Sequence, residues 1–304
     1  MMLKKRIDQK PSETALFAAL RRTIANKEFK SGKLGPDDLA EYFLPPHFRF
    51  FLKFKRIRGK IKNKLNGLLP GLNEYMIART AFFDRLFLDA LKNKTPQIVL
   101  LGAGYDSRAY RFAKLNQGTR IFELDAPPTQ DRKKKCIRKA QIDISENVTF
   151  VPINFNQESI KNKLEKAGYK HDQNTLFIWE GVSYYLELES VETTLEFVRQ
   201  ASHEETFIGF DYTTSISDDN MDNFYGVREF TQAMNHHHAN EELMFSIDDS
   251  KTASFLEQRG LKIVSHLDNK EIERTFLLDE NGSQIGQITG HFRFVLASAN
   301  IQET

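Results

Sequence analysis

The chain has 304 residues, 40% of them hydrophobic, which suits one large α/β domain with an added segment and excludes a wholly disordered chain. Lys and Arg outnumber Asp and Glu by only 43 to 41, so overall charge gives no reason to expect a nucleic-acid partner. The single cysteine, Cys136, excludes an intramolecular disulfide and a cysteine-built zinc site.

The opening stretch MMLKKRIDQKPSE is basic but lacks the apolar run of a secretory signal. Nowhere does an apolar run approach the ~18 residues of a membrane-spanning helix. A soluble, cytoplasmic protein is expected. From about residue 11 to 95 the pattern is helical. Ser12 or Glu13 opens a stretch with Ala15, Leu16, Ala19, Leu20 and Thr23 at helical spacing. Gly35-Pro36-Asp37-Asp38 reads as a second helix start, because Pro is tolerated in a first turn and acids suit its positive end. The apolar face Leu39, Tyr42, Phe43 then stops at Pro45-Pro46. After the turn Leu69-Pro70-Gly71, a longer helix is expected from Asn73 to about Lys92.

From Pro96 the texture becomes strand, turn and helix in alternation. Gln97–Leu101 is a continuous apolar run ending in Gly102-Ala103-Gly104, the profile of a buried parallel strand. Similar runs occupy 120–125, 149–154, 175–180 and 206–211, with helical stretches between them such as Glu189 to Ala201. Strands alternating with helices imply βαβ units, a doubly wound α/β fold and a mostly parallel sheet. Leu261–Val264 and His291–Ala297 come after these, and the short link Glu280-Asn281-Gly282-Ser283 suggests a terminal antiparallel hairpin without a crossover helix. Four strands end in a polar residue, Asp125, Asn154, Glu180 and Asp211, at the edge where ligands of such sheets bind.

The glycines after the first strand permit a tight turn and close approach of a ligand to the backbone. A helix expected from Ser107 to about Lys114 would offer its unpaired N–H groups there, with Asp106 as cap. Asp125 lies 21 residues beyond Gly104, near the ~20 expected of an acid that grips a ribose diol. Each such charge-assisted bond contributes roughly 1.5–3 kcal/mol. Glu123, the rival acid, is read as facing the other side of the strand. A pyrophosphate needs the helix N-terminus free, and Asp106 would repel it. A ligand with a cationic centre and no phosphate fits better, and S-adenosylmethionine (SAM) is one.

Several motifs then resemble one family in order and spacing. Arg79-Thr80-x-x-x-Asp84, the run from Gln97 to Arg111, Phe122-Glu123-Leu124-Asp125-Ala126-Pro127 and Glu180-Gly181-Val182-Ser183-Tyr184-Tyr185-Leu186 are similar to the SAM-dependent methyltransferases related to leucine carboxyl methyltransferase, chiefly their bacterial branch. Ser12–Leu16 with Arg21-Arg22 resembles the family's N-terminal motif, and the likeness runs from about residue 12 to 265. It implies a Rossmann-like class I methyltransferase fold with a seven-stranded sheet, and SAM as cofactor. Residues 1–95 would be a helical cover or lid, and 96–304 the SAM-binding domain with an insertion at about 212–245. By resemblance, Arg79 would pair with the SAM carboxylate, Gly102 and Gly104 would lie along its methionine part, and Asp125 would hold the ribose. Glu180 would face the amino group, while Asn154 and Phe155 would contact the adenine. Asn154 stands where the family has an acid. Arg21 or Arg22 would be a second carboxylate contact.

An O-methyltransferase is therefore expected, with a carboxyl acceptor preferred to a hydroxyl because a carboxylate is ionised near neutral pH and needs no general base. The acceptor would be a small molecule or a peptide. A NAD(P)-dependent oxidoreductase and a SAM-binding protein without catalysis stay open as alternatives. Lys53 to Lys64 carries seven basic residues interleaved with Phe54, Ile57 and Ile61. It reads either as a helix meeting an acidic surface or, in preference, as a solvated lid helix with its apolar stripe on the core. Arg132 to Lys139 is expected to be the solvated face of a helix. His236-His237-His238 invites a metal, but adjacent histidines diverge, and no metal is expected.

Overall fold

The computed structural model describes residues 10–29, 37–155, 157–201, 203, 205–237 and 243–299, with 234–237 described by backbone alone. Among the described residues, four α-helices precede the first strand: α1 (Glu13–Glu28), α2 (Pro46–Phe51), α3 (Lys55–Leu68) and α4 (Leu72–Lys92). Ser12 caps α1 through its hydroxyl, which accepts from the Ala15 N–H. Gly35 and Pro36 of the expected second helix start lie outside the described residues. Asp37 accepts from the Leu39 and Ala40 N–H groups, and the chain then makes a single 3-10 turn, Ala40–Phe43, ended by the two prolines.

Strands β1 (Gln97–Leu101), β2 (Arg120–Asp125), β3 (Val148–Pro152), β4 (Thr175–Trp179) and β5 (Phe207–Thr214) are parallel, in the spatial order β3-β2-β1-β4-β5. Their crossovers carry α5 (Arg108–Arg111), α6 (Pro127–Lys139), α7 (Ile160–Lys166) and α8 (Leu188–Gln200). A two-residue strand, β6 (Ser246–Ile247), also pairs with β5. Strand β8 (Phe292–Ala299) inserts antiparallel between β5 and β7 (Leu261–Leu267). The expected antiparallel pair is present, but its link is not a bare hairpin. It carries a helix, Asn269–Phe276, closed by a capping box between Asp268 and Glu271.

The apolar runs form strands because both faces of the sheet are covered. Ile98 and Leu100, with Ile121, Leu176 and Ile178, join one buried cluster with α1 and α4. Their neighbours Val99, Leu101, Phe122, Leu124, Phe177 and Trp179 join a second cluster with α7 and α8. This alternation is the period of two that a pleated strand imposes. It also corrects the placing of Glu123: two residues from Asp125, it lies on the same face. There it pairs with Lys133 of α6 at 2.7 Å and accepts from the Tyr110 hydroxyl at 2.9 Å. Lys133 is thus buried, an exception to the solvated face expected of that helix.

Helix α4 crosses the sheet closely enough that a Cβ on Gly209 of β5 would sit 2.4 Å from Leu86 Cδ1. Strand order reverses between β1 and β4, so the carboxyl ends of these strands open a crevice, the usual ligand position of a doubly wound sheet.

Candidate functional site

At the end of β1 the chain turns through Gly102 (φ +70°) and Gly104 (φ +46°), in the left-handed region that glycine enters without steric cost. A Cβ on Gly102 would lie 2.8 Å from Val182 Cγ2, and one on Gly104 3.2 Å from the Ala15 Cβ of α1. The next strand brings Asp125 under this turn. Its two oxygens accept from the backbone N–H groups of Gly104 and Ala126. Burial pushes its pKa up to about 6, although these two bonds oppose the shift. A carboxylate has roughly four lone-pair sites, so two acceptor positions are left for a diol.

Beside the turn, Asp106 accepts from the Arg108 N–H at 2.7 Å, as a cap would. The α-helix behind it, α5, has four residues and passes into a 3-10 turn at Ala113–Leu115, shorter than the continuous helix expected to Lys114. Arg108 is the hub of the site. Its buried guanidinium bonds Asp84 of α4 at 2.7 Å, Asp106 at 2.6 Å and Glu180 at 2.6 Å. Burial works against the Asp106 carboxylate, but Arg108 and Lys133 outweigh it and hold its pKa at about 2. Arg111 adds bonds of 2.6 and 2.8 Å to Asp84.

Glu180, immediately beyond β4, also meets Arg79 of α4 at 3.0 Å, and Arg79 lies 3.5 Å from Asp211 of β5. Asp211 accepts from the Tyr75 hydroxyl and from the Gly181 N–H at 2.7 Å. Burial raises its pKa, against Arg79 and these bonds. Above it stand Tyr184, whose hydroxyl accepts from Arg79 at 3.1 Å, and Phe292, stacked on Tyr75 at 3.7 Å. Phe230 of α9 (Val227–His237), in the segment after β5, closes the aromatic group at 5.7 Å from Phe292.

Arg79 and Asp125, 46 positions apart, are therefore joined through Glu180, Arg108, Asp106 and the glycine turn along one edge. The two early arginines separate. Arg22 reaches the Tyr105 carbonyl at 2.7 Å and Asp37 at 3.1 Å, beside the turn. Arg21 points away to Asn73 and stacks on Phe17, and burial lowers its pKa to about 10. Asn154 and Phe155 lie past the end of β3, which the Ile153 N–H ties to the Asp125 carbonyl at 2.9 Å. The Asn154 N–H donates to Glu158, and the Phe155 ring is 42% exposed.

The roles of Arg108 and Tyr75 are not apparent in the sequence, although Arg108 stands inside the run from Gln97 to Arg111. An arginine directly after a loop acid is the one signal available for it. Among the described residues, no group of three or more His, Cys, Asp or Glu side chains could hold a metal. Nor is any helix among them long and apolar enough to cross a membrane. His238 of the histidine run lies outside the described residues.

The family model for leucine carboxyl methyltransferase matches residues 15–199. An inferred S-adenosyl-L-methionine-dependent methyltransferase of Mycobacterium avium (strain 104) is 33% identical over 132 residues, 43% of this chain and 41% of that protein. The match thus spans about two fifths of that relative's length. YktD of Bacillus subtilis (strain 168), described in the same words, is 26% identical over 245 residues, 78% of this chain and 79% of its own. A DUF574 family protein from Streptomyces avermitilis ma-4680 shares the fold at a TM-score of 0.57 and 11% identity, over 80% of this chain and 90% of that one. With a match over residues 15–199 and the sheet order of a class I methyltransferase, the chain belongs to the leucine carboxyl methyltransferase family.

Proposed function

We propose that this protein is a SAM-dependent methyltransferase that methylates oxygen, with a carboxylate as the preferred acceptor. One observation carries the reading: Arg79, Glu180, the glycine turn and Asp125 form a continuous line across the crevice where strand order reverses. The descriptions of the relatives support its coarser part, SAM-dependent methyl transfer.

The donor set fits SAM. Six carboxylates (Asp37, Asp84, Asp106, Asp125, Glu180 and Asp211) face four guanidinium groups (Arg22, Arg79, Arg108 and Arg111), a balance that favours a cationic ligand over a pyrophosphate. SAM would supply a methyl group already activated on its sulfonium. Asp125 would accept from both ribose hydroxyls, and Gly102 and Gly104 would line the methionine part. Arg79 would turn its planar fork to the carboxylate, Glu180 would take the ammonium, and Asn154 and Phe155 would border the adenine. Arg108 acts through Glu180 and is a positioning residue.

Methyl transfer is an in-line displacement, so the protein's part is orientation, for which effective molarities correspond to ~7–11 kcal/mol at best. Tyr75, Tyr184, Phe230 and Phe292 would wall the acceptor side and exclude water. The helices before Gln97 are proposed as the cover of this sheet edge, with 96–304 as the cofactor-binding domain. Titration calorimetry with SAM and with NADH tests the reading, and SAM alone is expected to bind. A chain that takes NADH and ignores SAM is an oxidoreductase. One that binds SAM but releases no S-adenosylhomocysteine with any carboxylate- or hydroxyl-bearing fraction of a metabolite extract is a binder only.

A further inference from the structure

Between Glu41 and Glu74 the sequence contains eight Lys and Arg residues and no Asp or Glu. This stretch forms α2 and α3, and its apolar residues divide into two sets. Ile61 and Leu65 pack on the core, as a solvated helix with a buried stripe requires. Phe50, Phe51 and Phe54 do not: they are 55%, 46% and 49% exposed, with Phe48 and Ile57 exposed beside them. Their rings lean edge-on against one another, Phe50 at 5.8 Å from Phe51 and 5.4 Å from Phe54. Lys53, Lys55, Arg56, Lys60 and Lys64 stand exposed around them. Among the described residues none of these five has a carboxylate partner, whereas Lys62 pairs with Glu28 at 2.6 Å.

We propose that the Phe50–Phe54 knuckle and its surrounding lysines dock this protein on an anionic lipid bilayer, the rings entering the headgroup boundary and the cations lying over acidic lipids. A short amphipathic segment with Phe on one side and Lys or Arg on the other is what such a surface holds. A second copy of the chain is the wrong occupant, since it would set like charges against like across the interface. Protein interfaces are depleted in lysine, and four of the five unpaired cations here are lysines. Single-stranded nucleic acid wants open ring faces to stack on, and in each of these edge-to-face pairs one ring's face is covered by its neighbour's edge.

The test is co-sedimentation of the full chain with vesicles of phosphatidylcholine alone and of phosphatidylcholine with about 30% phosphatidylserine. Binding to the anionic vesicles is expected, falling at about 0.5 M salt as screening shortens the reach of the lysines. The pairs Lys53→Glu/Lys55→Glu and Phe50→Ser/Phe54→Ser are each expected to cut partitioning about tenfold or more, at an unchanged melting temperature. A Phe54→Trp variant, followed above the background of buried Trp179, should shift its emission to the blue on the anionic vesicles. Equal sedimentation with both lipids, wild-type binding by either pair, or an unshifted Phe54→Trp spectrum overturns the proposal. So does a lack of vesicle binding together with saturable binding of an oligonucleotide or of polyglutamate. SAM binding is measured separately and is independent of every one of these outcomes.

Discussion

The carboxyl edge of the sheet and the α2–α3 surface both concentrate charge, and they do it in opposite ways. At the edge the charges are buried and of mixed sign, each guanidinium being held by one to three carboxylates. On the surface they are of one sign, and the exposed Lys53, Lys55, Arg56, Lys60 and Lys64 have no carboxylate partner among the described residues. A buried mixed network fixes side-chain positions to fractions of an ångström and suits a small ligand with charges of both signs. A one-sign surface fixes no position and suits an extended partner of opposite charge. The cost of disturbing them should differ accordingly.

The largest effect is expected from Arg108→Met, which leaves Asp84, Asp106 and Glu180 without their shared partner. Removing one side of a buried ion pair costs about 3–5 kcal/mol, which urea denaturation would register. Lys60→Glu and Lys64→Glu on the exposed side should shift the same measurement by within ~0.5 kcal/mol. Equal losses from both kinds of substitution would erase the distinction.

Next in size is Asp125→Ala. Losing one to two charge-assisted bonds of about 1.5–3 kcal/mol each should weaken SAM by at least roughly tenfold in calorimetry. Glu123→Gln, on the same face but already satisfied by Lys133 and Tyr110, should leave SAM affinity within about threefold while lowering stability. A stronger effect on SAM from Glu123→Gln than from Asp125→Ala would move the sugar site one step down the strand.

The last effect is on pH dependence. Asp125 is raised in the folded protein from 3.8 to about 6, so in this window the folded chain binds more protons than the unfolded one. Its contribution to stability is present below about pH 4 and is lost as pH rises through 6. Asp125→Asn should therefore gain stability relative to the parent between those limits, as paired melting curves would register. SAM binding should weaken below about pH 6, because the diol bonds the carboxylate and not the acid. A flat difference between the two melting series would remove Asp125 as the titrating group.

Much of the fold was legible because β1, β2, β4 and β5 are covered on both faces and so read as largely apolar runs. Asp125 was legible from its distance to the glycine turn. The hub was not, because the partners of Arg108 sit 24, 2 and 72 positions away and only the folded chain brings them to one guanidinium. The aromatic knuckle was hidden for the reverse reason: Phe54 and Ile57 read, with Ile61, as a stripe on the core, and burial is a property of what packs against them. The helix between β7 and β8 was masked by the turn residues near Gly282, a stronger local signal than the capping pair Asp268 and Glu271 that starts it.

The place of β8 has a consequence for synthesis. It follows every other described strand in chain order yet lies inside the sheet, bonded to β5 on one side and β7 on the other, with Phe292 against Tyr75 of α4. Until residues 292–299 have left the ribosome, β5 and β7 each expose a raw edge, and the floor under Tyr75 is missing. A nascent chain can thus close its glycine turn early but cannot complete the packing of Phe292 on Tyr75, and its open strand edges leave a half-made molecule dependent on protection from sticky neighbours.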